Sequence, residues 1–181
     1  MNWQQALTDY INYLKLERGL AANSIDSYKR DIQKLVNFIT ESGADTSPLA
    51  IDRNTLEEFI HQIAGSLQPR SQARIISGLR GFFDFLILEQ YRKDNPMELI
   101  EAPKLGRKLP DTLSPAEMIS LISSVDRSTP EGERNRAILE TLYGCGLRVS
   151  ELLDLRLSDL FFEEGFIKVR VKGNKERFVP I

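Results

Sequence analysis

The chain has 181 residues, room for one large domain or two small ones. Hydrophobic residues make up 41%, enough for a core, while 24 basic and 26 acidic side chains leave a net charge of −2, so only the distribution of charge can point to nucleic acid. A lone cysteine, Cys145, excludes an internal disulfide and a cysteine-rich metal site and fits a reducing cytoplasm; the N-terminus has no signal-peptide pattern and no apolar run approaches a membrane span.

Trp3, Leu7, Tyr10, Ile11 and Leu14 recur at helical spacing, and Gly19 stops that helix. Asn23 or Ser24 is suited to cap the next, whose buried stripe reads Ile25, Tyr28, Ile32, Leu35, Val36 and Ile39. Asp52 caps a third helix, with Leu56, Phe59, Ile60 and Ile63 inward, and Gly65-Ser66 ends it. A fourth helix runs from about Pro69 to Gln90 and buries Ile75, Ile76, Leu79, Phe82, Phe83 and Leu86. Its opposite face carries Arg70, Ser71, Arg74, Ser77, Gly78 and Gly81, with Arg80 at the edge. No acid occurs from Phe59 to Phe83, which makes Arg70, Ser71, Arg74 and Arg80 candidate DNA contacts. Each interior glycine costs about 1 kcal/mol against alanine. Close approach of a DNA backbone would offset that, and so would close packing of another helix. No internal repeat or low-complexity segment is apparent.

Pro96, Pro103 and Pro110 preclude one continuous helix from Asp94 to Thr112. The expected division is a helical domain over 1–93, a linker over 94–112 and a second domain over 113–181. Ser114-Pro115-Ala116-Glu117 opens a helix with a cap, a proline at its first position and a capping-box glutamate.

A helical run then ends in Gly144-Cys145-Gly146, and Arg148 follows at the start of a short amphipathic run. A guanidinium beside Leu147 and Val149 calls for an anion. A phosphate at a helix start would serve, and so would Glu151 at i, i+3. Ile167, Val169 and Val171 alternate with Lys168, Arg170 and Lys172, Gly173-Asn174 suits a tight turn, and Phe178 to Ile181 returns as a partner strand. Such a hairpin carries Lys172, Lys175 and Arg177 near its tip; a solvated basic turn is the plainer account.

The two boxes GCGLRVSELLDL and VKGNKERFVPI together resemble the start of the catalytic domain of the tyrosine site-specific recombinases, the phage integrase family, and within it the Xer type. The likeness continues through the N-terminal part. It implies a mainly α chain: a four-helix SAM-like core-binding domain, joined by a linker to the truncated α+β catalytic domain with a β-hairpin at its C-terminal end. By that resemblance Arg148 matches the first catalytic arginine and Lys172 the hairpin lysine, with Lys175 its rival. Glu151 supports them, and Lys175 and Arg177 join the DNA contacts. The implied reaction cleaves and rejoins DNA through a 3′-phosphotyrosyl link, with no cofactor and no metal. The implied partners are a double-stranded recombination site, a second Xer-type recombinase in a tetrameric synapse and a septal DNA translocase. No membrane and no small-molecule substrate is expected, and the expected location is the cytoplasm.

The family's H-x-x-R box, its later His or Trp and its nucleophilic tyrosine have no counterpart here: Tyr10, Tyr13, Tyr28, Tyr91 and Tyr143 all fall outside the nucleophile's position. The expectation is therefore a fragment that binds DNA at most, with Leu139, Leu142, Leu152 and Leu153 left open to solvent. The alternatives are a phage or transposon integrase, or a non-catalytic DNA-binding or helical interaction protein, which would have no need of both Arg148 and Lys172.

Overall fold

Apolar residues at every third or fourth position fold the first part of the chain into four helices: α1 Trp3–Leu16, α2 Ala22–Glu41, α3 Arg53–Ala64 and α4 Pro69–Leu88. The structure, a computed structural model, describes residues 1–44, 46–106, 109–171 and 175–181. Two compact units divide the chain, Met1–Arg107 and Lys108–Ile181.

The caps are local and legible. Asn2 accepts from the Gln5 N–H to start α1, and Asp52 accepts from the Thr55 N–H and hydroxyl to start α3. One expected cap is absent. Neither Asn23 nor Ser24 caps α2; the chain is still extended at Ala21 and turns helical at Ala22, so both lie within the first turn. Leu7, Tyr10, Ile32, Leu35, Leu56, Phe82 and Phe83 meet in one core. Full burial of each such side chain is worth roughly 1.5–3 kcal/mol.

That core continues past residue 93, where the linker was expected. Met97 and Ile100 are buried in it. Asn95 makes the turn: its side-chain N–H group donates to Asp84 and to the Arg80 carbonyl, and its oxygen accepts from the Met97 N–H. Arg92, also unforeseen, donates to the Pro48 and Ile51 carbonyls and lies over the Phe83 ring. Prolines exclude a helix here, but the polar anchors Asn95 and Arg92 and two apolar side chains hold an irregular segment against the helices all the same.

The second unit holds α5 Pro115–Ser123, α6 Pro130–Gly144 and the short α7 Val149–Leu153. A 3₁₀ turn, Leu157–Asp159, leads to an antiparallel sheet ordered β1-β2-β3. Strands β2 Phe166–Val171 and β3 Lys175–Pro180 are the expected hairpin, with Val169 opposite Arg177 and Arg170 opposite Glu176. The two-residue β1, Leu160–Phe161, was not anticipated. Leu147, Ile167 and Val169 form a small core, with Leu142 and Leu152 packed on it. Of the four leucines expected to be open, only Leu153 is exposed; Leu139, Leu142 and Leu152 are half-buried, the last two against the small core. Among the described residues no helix is long and apolar enough to cross a membrane.

The glycines of α4 are explained by protein. A Cβ at Gly78 would stand 3.0 Å from Asp31 Oδ2 and 3.6 Å from the Tyr28 ring, and one at Gly81 would stand 3.3 Å from the Tyr10 hydroxyl. These positions let α4 close on α2 and α1, which corrects the reading that DNA approaches them. Gly78→Leu should therefore destabilise the helical unit by about 1–3 kcal/mol through overpacking. Thermal unfolding of the variant checks this, and an unchanged melting temperature would contradict it.

Candidate active site and nucleic-acid interface

The approach to Arg148 is set by one tight turn. The Cys145 N–H closes α6 on the Thr141 carbonyl at 3.0 Å, Gly146 takes a left-handed φ of +59°, and the Leu147 N–H returns to the Leu142 carbonyl at 3.2 Å. That φ suits glycine. Leu147 drops into the small core, so Arg148 is carried outward as the residue that precedes α7.

Glu151 then gathers three donors. Its Oε2 accepts the Arg148 backbone N–H at 2.8 Å and Arg177 Nη2 at 3.0 Å, and its Oε1 accepts Arg148 Nη1 at 2.8 Å. The Glu151 side chain is only 6% exposed, whereas that of Arg148 is 72% exposed. The Arg148 N–H, then the two guanidinium groups, hold the Glu151 carboxyl below the usual glutamate range. The i, i+3 pair foreseen as the plain alternative is present, but it is more than a surface pair. A nearly buried carboxylate holds an exposed guanidinium, and the Nε edge of Arg148 remains for another anion.

The hairpin is less basic than its composition. On one face of β2, Lys168 and Arg170 lie 3.6–3.7 Å from the buried Asp159 and 3.6–3.8 Å from Glu176. Arg177, expected at DNA, is turned onto Glu151 from the other face, because it stands opposite Val169 on the side that meets α7. Lys175 is exposed, and among the described basic residues of the hairpin it alone has no carboxylate within ion-pair distance. Lys172 lies outside the described residues.

In the helical unit, Arg70 is exposed and Ser71 half-buried at the start of α4. Arg74 reaches α2, where its Nη1 and Nη2 donate to the two oxygens of Asp31 at 2.6 and 2.7 Å. Burial pushes the Asp31 carboxyl above the usual aspartate range, and Arg74 pulls it part of the way back. Arg80, expected beside DNA, donates to the Ile100 carbonyl at 2.8 Å, drawn there by the segment that covers the core. Among the described residues no three His, Cys, Asp or Glu side chains stand together as a metal site.

Two of these carboxylates were legible in principle. Asp31 falls at i+3 from Tyr28 and i−4 from Leu35, on the buried side of α2. Leu147-Arg-Val-Ser-Glu-Leu152 is echoed by Leu155-Arg-Leu-Ser-Asp-Leu160, so the chain does contain a short internal repeat, contrary to expectation. In both copies the buried acid accepts the N–H of the arginine three residues earlier, as Asp159 does from Arg156 at 3.2 Å. Glu151 then meets Arg177 of the hairpin, and Asp159 meets Lys168 and Arg170.

Residues 7–90 match the N-terminal SAM-like domain of phage integrases, and residues 111–181 match the phage integrase family. The chain belongs to the phage integrase family. It is 40% identical over 176 residues to the tyrosine recombinase XerD of Listeria innocua serovar 6a, an alignment that takes in 97% of this chain and 59% of that protein. The chain thus spans about three fifths of the length of the curated relatives it matches. Among solved structures it is similar to a lambda integrase dimer bound to a COC' core site, with a TM-score of 0.77 at 19% identity over 99% of this chain and 49% of that one. A lambda integrase tetramer bound to a Holliday junction gives 0.76 at 20% identity, over 99% of this chain and 51% of that one. At that identity the likeness concerns the fold, and it supports the integrase architecture in both units.

In this integrase-family chain the held carboxylate has a pH signature. Its folded pKa lies below the ordinary glutamate value of about 4.3, so the stability it contributes is present above that value and is lost as pH falls through the folded pKa. Glu151→Gln should lower the melting temperature at pH 7, and the gap to wild type should close in acid below about pH 4. Melting curves across pH test this; a gap that stays constant into acid would mean that the charge of Glu151 is not what binds the three donors.

Proposed function

We propose that these residues are the DNA-binding unit and the first catalytic residues of a longer tyrosine recombinase that cuts and rejoins duplex DNA at a specific site. The observation that carries this reading is the Arg148 guanidinium, 72% exposed yet fixed by a carboxylate that is 6% exposed. A side chain held this way meets a phosphate with little reorganisation, and its Nε–H and outer Nη N–H groups suit two non-bridging oxygens.

In the reaction a tyrosine hydroxyl attacks the phosphodiester. The tyrosine O–H gives up its proton as the P–O(tyrosine) bond forms, the P–O5′ bond breaks and its oxygen takes up a proton, so a 3′-phosphotyrosyl link results with no net change in protons. Lys172 supplies the proton to the departing 5′-oxygen. Arg148 offsets the negative charge that gathers on phosphorus oxygens in the transition state. The tyrosine is none of the five in this chain. Attack by a 5′-hydroxyl reverses the step, and because bond energy is retained no ATP is needed.

The likeness to relatives named tyrosine recombinase XerD supports site-specific recombination. Proposed with it are a role in resolving chromosome dimers, a place in the cytoplasm, a second recombinase in a tetramer on DNA and a septal DNA translocase as partner. Arg70, Ser71 and Lys175 are proposed to meet DNA; Arg177 is proposed to support Arg148 through Glu151.

In a protein extended to the length of its XerD relatives, Arg148→Ala should leave binding to the recombination site nearly intact and slow cleavage by about 10²–10³. Single-turnover cleavage of a nicked duplex, alongside a binding titration, reads both. Parallel loss of folding, or of binding together with cleavage, would contradict the catalytic role.

A further inference from the structure

The pairing of Arg74 leaves a particular part of the guanidinium in use. Nη1 donates to Oδ2 of Asp31 at 2.6 Å and Nη2 to Oδ1 at 2.7 Å, so the carboxylate occupies the end of the group. The Nε–H and the outer Nη N–H form a second, side-on fork, and among the described residues no other acceptor reaches it. Asp31 is 2% exposed and Arg74 is 52% exposed, so this fork faces water. Gly78 leaves the space in which Asp31 sits.

Two consequences follow for any nucleic acid. The buried carboxylate already offsets the arginine's charge, so the Coulombic pull on a phosphate is weak. The geometry of the remaining fork is rigid, and a side-on pair of N–H donors matches the O6 and N7 acceptors of guanine. The surroundings agree. The groove between α2 and α4, about 440 Å³, is lined beside Arg74 by Asn23, Ser24, Ser27 and Ser77. These are neutral donors and acceptors, suited to base edges more than to phosphate, whereas Arg70, exposed and without an ion pair among the described residues, lies at the start of α4.

We propose that Arg74, held by Asp31, reads a guanine from the major groove and does not serve as a phosphate clamp. Arg74 is thus a specificity-determining residue and Asp31 its positioning residue. The assignment rests on the DNA-binding reading given above.

The test uses the 181-residue chain and a library of duplexes with a randomised core. Bound duplexes are sequenced, and affinity is then measured by anisotropy at several salt concentrations on the selected duplex and its single-pair variants. Wild type should demand a G·C pair at one position. Arg74→Ala and Arg74→Lys should both lose that demand, with about a ten-fold weaker hold on the selected duplex and an unchanged salt slope. Asp31→Asn should lose the same preference although Arg74 is untouched, an effect on selectivity that a purely structural pair would not produce.

If Arg74→Lys keeps the wild-type preference, or if Arg74→Ala weakens all duplexes alike and lowers the log–log slope by about 0.9, then Arg74 neutralises a phosphate and the proposal is overturned. It is equally overturned if Arg74→Ala binds and selects as wild type does. A wild-type chain that binds no duplex would sink the DNA-binding reading itself, an outcome distinct from the others because they all begin from wild-type binding.

Discussion

A carboxylate that is almost out of water organises the second unit. Glu151 would be costly there if it stood alone, because a buried charge is tolerated only with its partners in place. Its partners come from two places in the chain: the backbone and side chain of Arg148, three residues before it, and the side chain of Arg177, 26 residues after it. The start of α7 and the middle of β3 are thereby tied to one point. Arg148 takes its position from that tie, and the Gly146 turn and the burial of Leu147 deliver it there. The cost of ordering the arginine is met in folding, before any phosphate arrives.

The helical unit repeats the device across two helices. Asp31 and Arg74 are 43 residues apart and meet because Gly78 lets α4 come close to α2. In both units an exposed guanidinium stands on an inaccessible carboxylate. This differs in kind from pairs such as Arg127–Glu133 or Arg53–Glu57, in which both side chains are open to water and the net gain is small. The difference lies in use as well as in energy: an open pair rearranges freely, whereas an anchored arginine offers the same donors in the same direction at all times. Asp159 uses the arrangement to hold strand cations, and leaves the face of the hairpin near neutral.

Much of the fold was legible. Period-three-to-four apolar patterns mark α1 to α4, the Ser114 cap marks α5, and period-two alternation marks β2 to its ends. What failed to show was anything that depends on a neighbour distant in sequence. The helical projection of α4 correctly put Arg74, Ser77, Gly78 and Gly81 on one face, but a helix's own periodicity says nothing of what lies opposite. Protein lies opposite the glycines, and Asp31 takes half of Arg74. The prolines after Asp94 truthfully excluded a helix, yet a segment without regular structure still buries Met97 and Ile100. Arg177 counted as one more basic residue until its strand register turned it toward α7. For the candidate site, Arg148 and Glu151 were readable from spacing and resemblance; the third member of the group was not.

One carboxylate holds Arg148 in place, and on the proposed reading Arg177 acts through it. The direct measurement is a double-mutant cycle on single-turnover cleavage in a protein of full family length, with Glu151→Gln, Arg177→Ala and the two combined. Arg177→Ala should slow cleavage in the wild-type background and add nothing further once Glu151 is glutamine. An undiminished effect of Arg177→Ala in the Glu151→Gln background would show that Arg177 meets the DNA on its own account, and would contradict the arrangement described here.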